Sequence, residues 1–160
     1  MDAPAPNRHP LFHIALVHPE IPQNTGNVGR LCLAVGARLH LVHPLGFQTD
    51  EKAVRRAGLD YWKHVDVVEH PDLDAFWTWV GARRVWCASS HGSVPFSRAP
   101  YAEDDVLVFG RESVGLGPEV LAGRDAIHIP MIGPTRSLNL SNAAAIVAYA
   151  ALARIRPELF

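Results

Sequence analysis

The feature that most constrains the fold is the alternation of short β-rich runs with longer helical stretches. Runs typical of buried strands lie at 12–18, 38–43, 65–69, 84–88, 106–109 and 126–131. Helical patterns lie at 27–34, 50–57, 73–80, 118–122 and 139–155. Strands joined by helical crossovers pair in parallel. The sequence therefore predicts an α/β fold with one parallel sheet flanked by helices.

Length and composition fit one globular domain. The chain has 160 residues, of which 48% are apolar and 19% are charged, so it can bury a core without a metal or disulfides. The longest apolar run, 143–153, is too short to cross a bilayer. Residues 1–11 carry prolines but no apolar segment of a signal peptide. We expect a flexible leader over 1–11 and a single domain over 12–160.

The two cysteines and the net charge narrow the functional classes. Cys32 and Cys87 are far apart in sequence, which is not the pattern of a disulfide framework or a thiolate metal site, and a cytoplasmic location is expected. The nine histidines are scattered, and His40 and His43 point to opposite faces of one predicted strand, so we expect no metal. A net charge of -1 argues against a broad nonspecific nucleic-acid surface and leaves room for a local basic patch.

The last helical stretch is apolar around most of its circumference. Such a helix must be covered on nearly all sides, by the sheet and by a second subunit, or else it is simply an interior helix. The pattern alone leaves both interpretations open.

Three polar, glycine-bearing loops follow predicted strands, which is where open α/β sheets bind ligands. They lie at 19–30, 110–117 and 130–142, and each leads into a helix. None contains the glycine pattern of a dinucleotide site, a P-loop or the nucleophile elbow of a hydrolase. These three classes of enzyme are therefore disfavoured.

Two groups of polar residues in the loops allow more than one interpretation. Asn24 and Arg30 are six residues apart, across a turn and the first coil of a predicted helix. Both side chains could therefore reach the opening of the same loop. A turn residue and a solvated arginine would give the same pattern. Ser137, Asn139 and Ser141 are all candidate N-caps, which is more than one helix needs and suggests that some of them serve a ligand.

The three loops together resemble the motifs of the SPOUT superfamily of knotted RNA methyltransferases. The first is similar to its NxGxxxR motif, with Asn24, Gly26 and Arg30. The second is similar to FGxExxGL, which begins at Phe109 and includes Glu112. The third is similar to IPM followed by SLNLSNA, over 129–143.

Two further stretches narrow the resemblance. HPEIPQNTGN at 18–27 and RRAGLDYW at 55–62 resemble the short, single-domain subfamily that methylates the ribose 2'-hydroxyl of the wobble nucleotide in leucine tRNAs, which is cytidine or a modified uridine. The similarity runs over nearly the whole chain from about Phe12. A ribosomal RNA 2'-O-methyltransferase of the same superfamily and a noncatalytic knotted RNA-binding module remain alternatives.

The resemblance implies a deep C-terminal trefoil knot, a homodimer and S-adenosylmethionine as cofactor. The family binds this cofactor largely through backbone groups of the loops. Carried over by position, the cofactor contacts fall at Ala88, Gly110, Ile129, Ser137 and Leu138.

The resemblance also assigns catalytic roles to four residues. Arg30 is the general base or an electrostatic clamp on the developing oxyanion, and we favour the clamp because a guanidinium stays protonated near pH 7. Asn24 would orient Arg30 or the ribose. Glu112 would accept hydrogen bonds from Arg30 or from backbone amides of the neighbouring loop, or would only stabilise its own loop. Asn139 would lie near the nucleotide and fix the third loop. In a dimer, Arg30 of one subunit could serve the cofactor of the other.

For RNA the chain offers a basic cluster next to aromatic side chains. Lys52, Arg55, Arg56, Tyr61 and Trp62 could hold phosphates and stack an unpaired base of a tRNA anticodon loop. A solvated helical face would explain Arg55 and Arg56 equally well.

Overall fold

Seven parallel strands form one sheet in the computed structural model, which describes residues 9–49 and 60–160. The strands are β1 (His13–Val17), β2 (Arg38–Val42), β3 (Val67–His70), β4 (Val85–Ala88), β5 (Val94–Pro95), β6 (Val106–Phe109) and β7 (Ala126–His128). Their order across the sheet is β3-β2-β1-β6-β4-β7-β5. The predicted α/β class and parallel sheet are confirmed.

Three α-helices lie between strands in sequence and a fourth follows the last strand. They are α1 (Pro22–Val35), α2 (Leu73–Val80), α3 (Pro118–Leu121) and α4 (Leu140–Ile155). Short 3-10 helices cover Asp60–His64, Phe96–Arg98 and Pro157–Leu159. The helix predicted at 50–57 lies outside the described residues.

Most boundaries differ from the prediction by one or two residues, and three differences are larger or of another kind. Helix α1 begins at Pro22, earlier than expected, because proline suits the first turn of a helix and the polar stretch after it is helical rather than a turn. Strand β7 ends at His128, before Pro130, which has no backbone N–H to donate to the ladder. Strand β5, of only two residues, was not predicted because it is too short to show a pattern.

The alternation of side chains along the strands builds two cores. Ile14 and Leu16 of β1 face α1 and α4, and their cluster includes Val28 and Val147. The alternate residues of the strands face the other way, where the cluster includes Phe76 of α2 and Val120 of α3. Helices therefore cover both faces of the sheet.

Helix α4 is covered within the chain on one side only. Ala144, Val147, Ala148 and Ala151 are buried, whereas Ile146 and Tyr149 are exposed. The sequence predicts that other elements bury this helix on nearly all sides. Within one chain they bury one face, and a second face with apolar side chains is exposed.

The last residue of the predicted leader contacts the domain. Leu11, assigned to the leader by its sequence, donates its backbone N–H to Gly36 O over 2.8 Å and packs against the core. Residues 1–8 lie outside the described residues. In the part of the chain that the structure describes, no helix combines the length and apolarity needed to span a membrane.

Three buried histidines form a hydrogen-bonded chain across neighbouring strands. His13 Nδ1 lies 2.9 Å from His40 Nε2, and His40 Nδ1 lies 2.9 Å from His70 Nε2. His13 Nε2 lies 2.8 Å from Asp104 Oδ1. Burial lowers the pKa of all three rings, that of His40 to about 2. Within the described ranges, no group of His, Cys, Asp or Glu side chains is placed to hold a metal ion.

Candidate functional site

A pocket of about 570 Å³ lies at the carboxyl edge of the sheet, where the second and third loops meet the start of α1. Its volume is in the range of small-molecule sites. All five predicted cofactor contacts line it: Ala88, Gly110, Ile129, Ser137 and Leu138. The structure therefore brings together residues that are up to 50 positions apart in the sequence.

The second loop folds back on itself at the pocket wall. Gly115 has a left-handed φ of 69° and donates its N–H to Arg111 O over 2.9 Å. This turn places the backbone of Gly115 so close to Gly110 that a Cβ on Gly110 would lie 2.2 Å from the Gly115 carbonyl carbon. Only glycine fits at position 110.

Glu112 joins the second loop to the first. Its carboxylate accepts the backbone N–H of Ile21 over 2.7 Å and that of Glu20 over 3.1 Å. Ile21 is the residue before the first turn of α1 and offers no capping side chain of its own. Of the predicted alternatives for Glu112, the structure has the bonds to backbone amides of the neighbouring loop.

A second carboxylate points the opposite way. Glu20 Oε1 accepts the backbone N–H of Ser113 over 2.9 Å and its hydroxyl over 2.7 Å. These bonds from the Ser113 hydroxyl and amide lower the pKa of Glu20. The first and second loops are thus held by carboxylates in both directions.

Asn24 and Asn139 connect the first loop to the third. Asn139 Nδ2 donates to Asn24 Oδ1 over 3.0 Å, and Asn24 is 6% exposed. The Oδ1 of Asn139 accepts from the N–H groups of Ser141 and Asn142, so Asn139 is the N-cap of α4. Of the three candidate caps, Asn139 is the one used, and its predicted tie to the third loop is present.

The pocket suits an adenosine-containing ligand. Its apolar wall includes Leu116, Ile127 and Met131, against which a purine can pack. Small polar residues that follow β4, Ser89 and Ser90, lie beside the wall and leave space there. Apolar surface with a few polar groups and exposed loop backbone is the composition expected of a cofactor site.

Comparison with known proteins identifies the family. Residues 11–149 match the model of the SpoU rRNA Methylase family. The chain belongs to this family. It is 45% identical to the tRNA (cytidine(34)-2'-O)-methyltransferase of Saccharophagus degradans over 144 residues, which are 88% of this chain and 94% of that protein.

Two solved structures share the fold. One, from work on the 2-OH methylation of C/U34 on tRNA, is 46% identical with a TM-score of 0.85 and covers 91% of this chain and 96% of its own. An AdoMet-bound rRNA methyltransferase from Sinorhizobium meliloti is 26% identical with a TM-score of 0.81, and the match covers 96% of this chain and 59% of that one.

Arg30 does not line the pocket of its own chain. It is the arginine of the first of the three motifs. It lies on α1 like Asn24, but six residues along a helix place the two side chains about 120° apart around the axis. The guanidinium carbon is 5.7 Å from the centre of the Tyr61 ring. Within one chain, the side-chain oxygen of Asn24 is bonded to Asn139. That Asn24 orients Arg30 or the ribose stays a prediction.

The predicted RNA-binding residues are only partly described. Lys52, Arg55 and Arg56 lie outside the described residues. Tyr61 donates its hydroxyl to Gly26 O over 2.9 Å, and Trp62 packs so tightly on α1 that a Cβ on Gly29 would lie 2.8 Å from its ring. Both aromatic side chains therefore contact α1, and their contact with RNA stays a prediction.

Sequence reasoning missed Glu20 and Ser113. Each is an ordinary loop residue when considered alone, and their partnership joins positions 93 residues apart. No local pattern signals such a contact.

Proposed function

We propose that this SpoU-family protein is an S-adenosylmethionine-dependent tRNA methyltransferase that acts on the ribose 2'-hydroxyl of the wobble nucleotide, position 34. The observation that carries the proposal is the convergence of the five predicted cofactor contacts on one pocket. The 45% identity to a tRNA (cytidine(34)-2'-O)-methyltransferase along almost its whole length supports the choice of substrate.

The residues of the pocket bind and orient the cofactor. Bound S-adenosylmethionine supplies a methyl group carried on a sulfonium. Gly110, Ile129, Ser137 and Leu138 all line the pocket. Ile129 and Leu138 would offer apolar surface to the adenine, and the backbone at Gly110 and Ser137 would supply hydrogen bonds. Such shape and backbone recognition requires the loops to be held in place, which Glu112 and Asn139 do.

Arg30 stabilises the reacting oxygen. The 2'-hydroxyl would lose its proton as its oxygen takes the methyl group and the methyl–sulfur bond breaks, which leaves a neutral thioether, so negative charge would develop on that oxygen. A guanidinium close to that oxygen lowers the energy of the transition state, and the proton leaves to water or a phosphate oxygen. Because arginine stays protonated near neutral pH, it acts as a clamp and not as a base.

A homodimer would bring Arg30 to a pocket. Arg30 and Leu33 lie three residues apart on one exposed face of α1. Helix α4 packs beside α1 and exposes Ile146 and Tyr149. This mixed apolar and basic surface is suited to a second copy of the chain, whose pocket would receive Arg30. We also propose that the C-terminal segment of each subunit forms the trefoil knot that the resemblance implies.

The RNA partner is the tRNA anticodon loop, in the cytoplasm. We assign its binding to Lys52, Arg55, Arg56, Tyr61 and Trp62, on a single domain spanning 12–160 that is preceded by a leader. Unpaired bases of a loop are accessible to aromatic and basic side chains without an added RNA-binding domain.

Transfer of a radioactive methyl group tests this function. Tritium from labelled S-adenosylmethionine should reach an unmodified leucine tRNA, and a tRNA with 2'-deoxyribose at position 34 alone should remain unlabelled. Equal labelling of the two tRNAs, or labelling of ribosomal RNA in preference to tRNA, would refute the assignment.

A further inference from the structure

We infer that Glu20 is a positioning residue that holds the cofactor-binding loop over the pocket by binding Ser113. The inference rests on the proposed function, because it takes the pocket to be the S-adenosylmethionine site. Ser113 lines that pocket, whereas Glu20 does not. Glu20 therefore acts through the loop and not by touching the cofactor.

The contact has the geometry of a specific anchor. One carboxylate oxygen of Glu20 accepts both the backbone N–H of Ser113, over 2.9 Å, and its hydroxyl, over 2.7 Å. A carboxylate accepts such bonds more strongly than a neutral oxygen does. Ser113 lies near the tip of the second loop, between an exposed Arg111 and an exposed Val114.

Glu20 can anchor the loop because its own backbone is fixed. Gly46 donates its N–H to Pro19 O over 2.9 Å, and a Cβ on Gly46 would lie 2.8 Å from the Cα of Glu20. On the other side, the N–H of Glu20 donates to Glu112 over 3.1 Å. Glu20 is therefore held between the segment after β2 and the second loop.

Different residues of the second loop are held by different contacts. Glu112 is bound to the amides that precede α1, and Gly110 is packed against Gly115. Among the described residues, Ser113 is held by the two hydrogen bonds that it donates to Glu20. Loss of these bonds leaves the loop attached but its tip free to move away from the cofactor.

Calorimetric titration with S-adenosylmethionine tests the inference on the full-length protein. We expect Glu20→Ala to raise Kd about tenfold, because part of the binding free energy must then be spent on ordering the loop. Glu20→Gln keeps an acceptor without its charge and should raise Kd about threefold. Ser113→Ala keeps the backbone N–H and should resemble Glu20→Gln, and adding it to Glu20→Ala should change nothing further. Glu103→Ala, at an exposed glutamate away from the pocket, is the matched control.

Steady-state kinetics separates positioning from simple stabilisation. With Glu20→Gln, kcat at saturating cofactor and KM for tRNA should stay within about twofold of the wild type, while KM for the cofactor rises. A lower melting temperature with unchanged cofactor Kd, or a higher KM for tRNA alone, would overturn the inference. If Glu20→Ala does not fold, Glu20→Gln and Ser113→Ala decide the matter. Failure of the wild type to bind S-adenosylmethionine would overturn the proposed function and the inference with it. Normal binding by the wild type and by both Glu20 variants would overturn the inference alone, so the two failures are distinguishable.

Discussion

Asn139 both caps helix α4 and donates its Nδ2 hydrogen to Asn24 Oδ1 over 3.0 Å. A single amide therefore satisfies the start of the last helix and ties that helix to α1, which carries Arg30. Because Asn24 is buried, the tie lies in a protected environment where an unpaired amide is costly. The bond therefore joins the third loop to the first motif.

The strength of this tie can be measured by a double-mutant cycle. Asn139→Ala loses both cap and tie and should lower the free energy of unfolding by about 2 kcal/mol, whereas Asn24→Ala should cost about 1 kcal/mol. Urea unfolding of the double variant should show a coupling of about 1 kcal/mol. Additive effects of the two substitutions would mean that the bond contributes nothing. Asn142→Ala, an exposed neighbour on α4, serves as control.

Substitution of Gly110 should abolish cofactor binding. A Cβ at this position would lie 2.2 Å from the backbone of Gly115, so Gly110→Ala must displace the second loop from the pocket wall. We expect Kd for S-adenosylmethionine to rise at least about 100-fold, the effect of losing roughly 3 kcal/mol of binding. Gly133→Ala is the control, since a Cβ there meets no atom within 4 Å. Normal binding by Gly110→Ala would show that the ligand site is elsewhere.

Mixed dimers test whether Arg30 serves the partner subunit. Arg30→Ala and Gly110→Ala should each be inactive as pure proteins. In a mixed dimer, the Arg30→Ala subunit has an intact pocket and the Gly110→Ala subunit supplies Arg30, so one of two sites is restored. Methyl transfer should return after unfolding and refolding the two variants together. No recovery, despite mixed dimers shown by mass, would contradict the assignment.

The buried histidines predict a fold that weakens in acid. Neutral rings satisfy the contacts among His13, His40 and His70 when each Nε2 carries the proton, and burial lowers the pKa of each. Their stabilisation is full above the unfolded pKa near 6.5 and is lost as pH falls below it, because the unfolded chain takes up protons that the folded chain refuses. At pH 5.5, each ring that stays neutral in the folded protein lowers the free energy of unfolding by about 1.4 kcal/mol.

Urea unfolding between pH 7.5 and 5.5 checks this slope. Stability should fall steeply toward acid in the wild type and equally in His43→Asn, which alters an exposed histidine paired with Glu69. A nearly constant free energy of unfolding over this range would show that the buried rings are protonated in the folded state.

Much of the fold is predictable from the sequence because strand and helix patterns are local. The strands at 106–109 and the helix at 73–80 have the predicted bounds. The start of α1 was missed because polar and glycine residues after Pro22 resemble a turn, although they pack as a helix against Tyr61 and Trp62. Local patterns do not contain the tertiary contacts that override them.

The site was predictable where it depends on motif residues and not where it depends on distant pairs. Five cofactor contacts carried over by resemblance do line one pocket. The partners of Glu112, Asn24 and Glu20 are 91 to 115 residues away in sequence, so only the order of strands in the sheet brings them together. The outward direction of Arg30 likewise follows from its position on α1. The pattern places the start of this helix at residue 27, whereas the helix begins at Pro22.

Mass spectrometry of nucleosides tests methylation of the wobble ribose most directly. Leucine tRNA lacking its natural modifications should be incubated with the protein and S-adenosylmethionine, digested and mapped by fragment. We predict one added methyl group on the ribose of nucleotide 34 and none on any base. A methyl group on a base, on another ribose, or on no nucleotide at all would contradict the account.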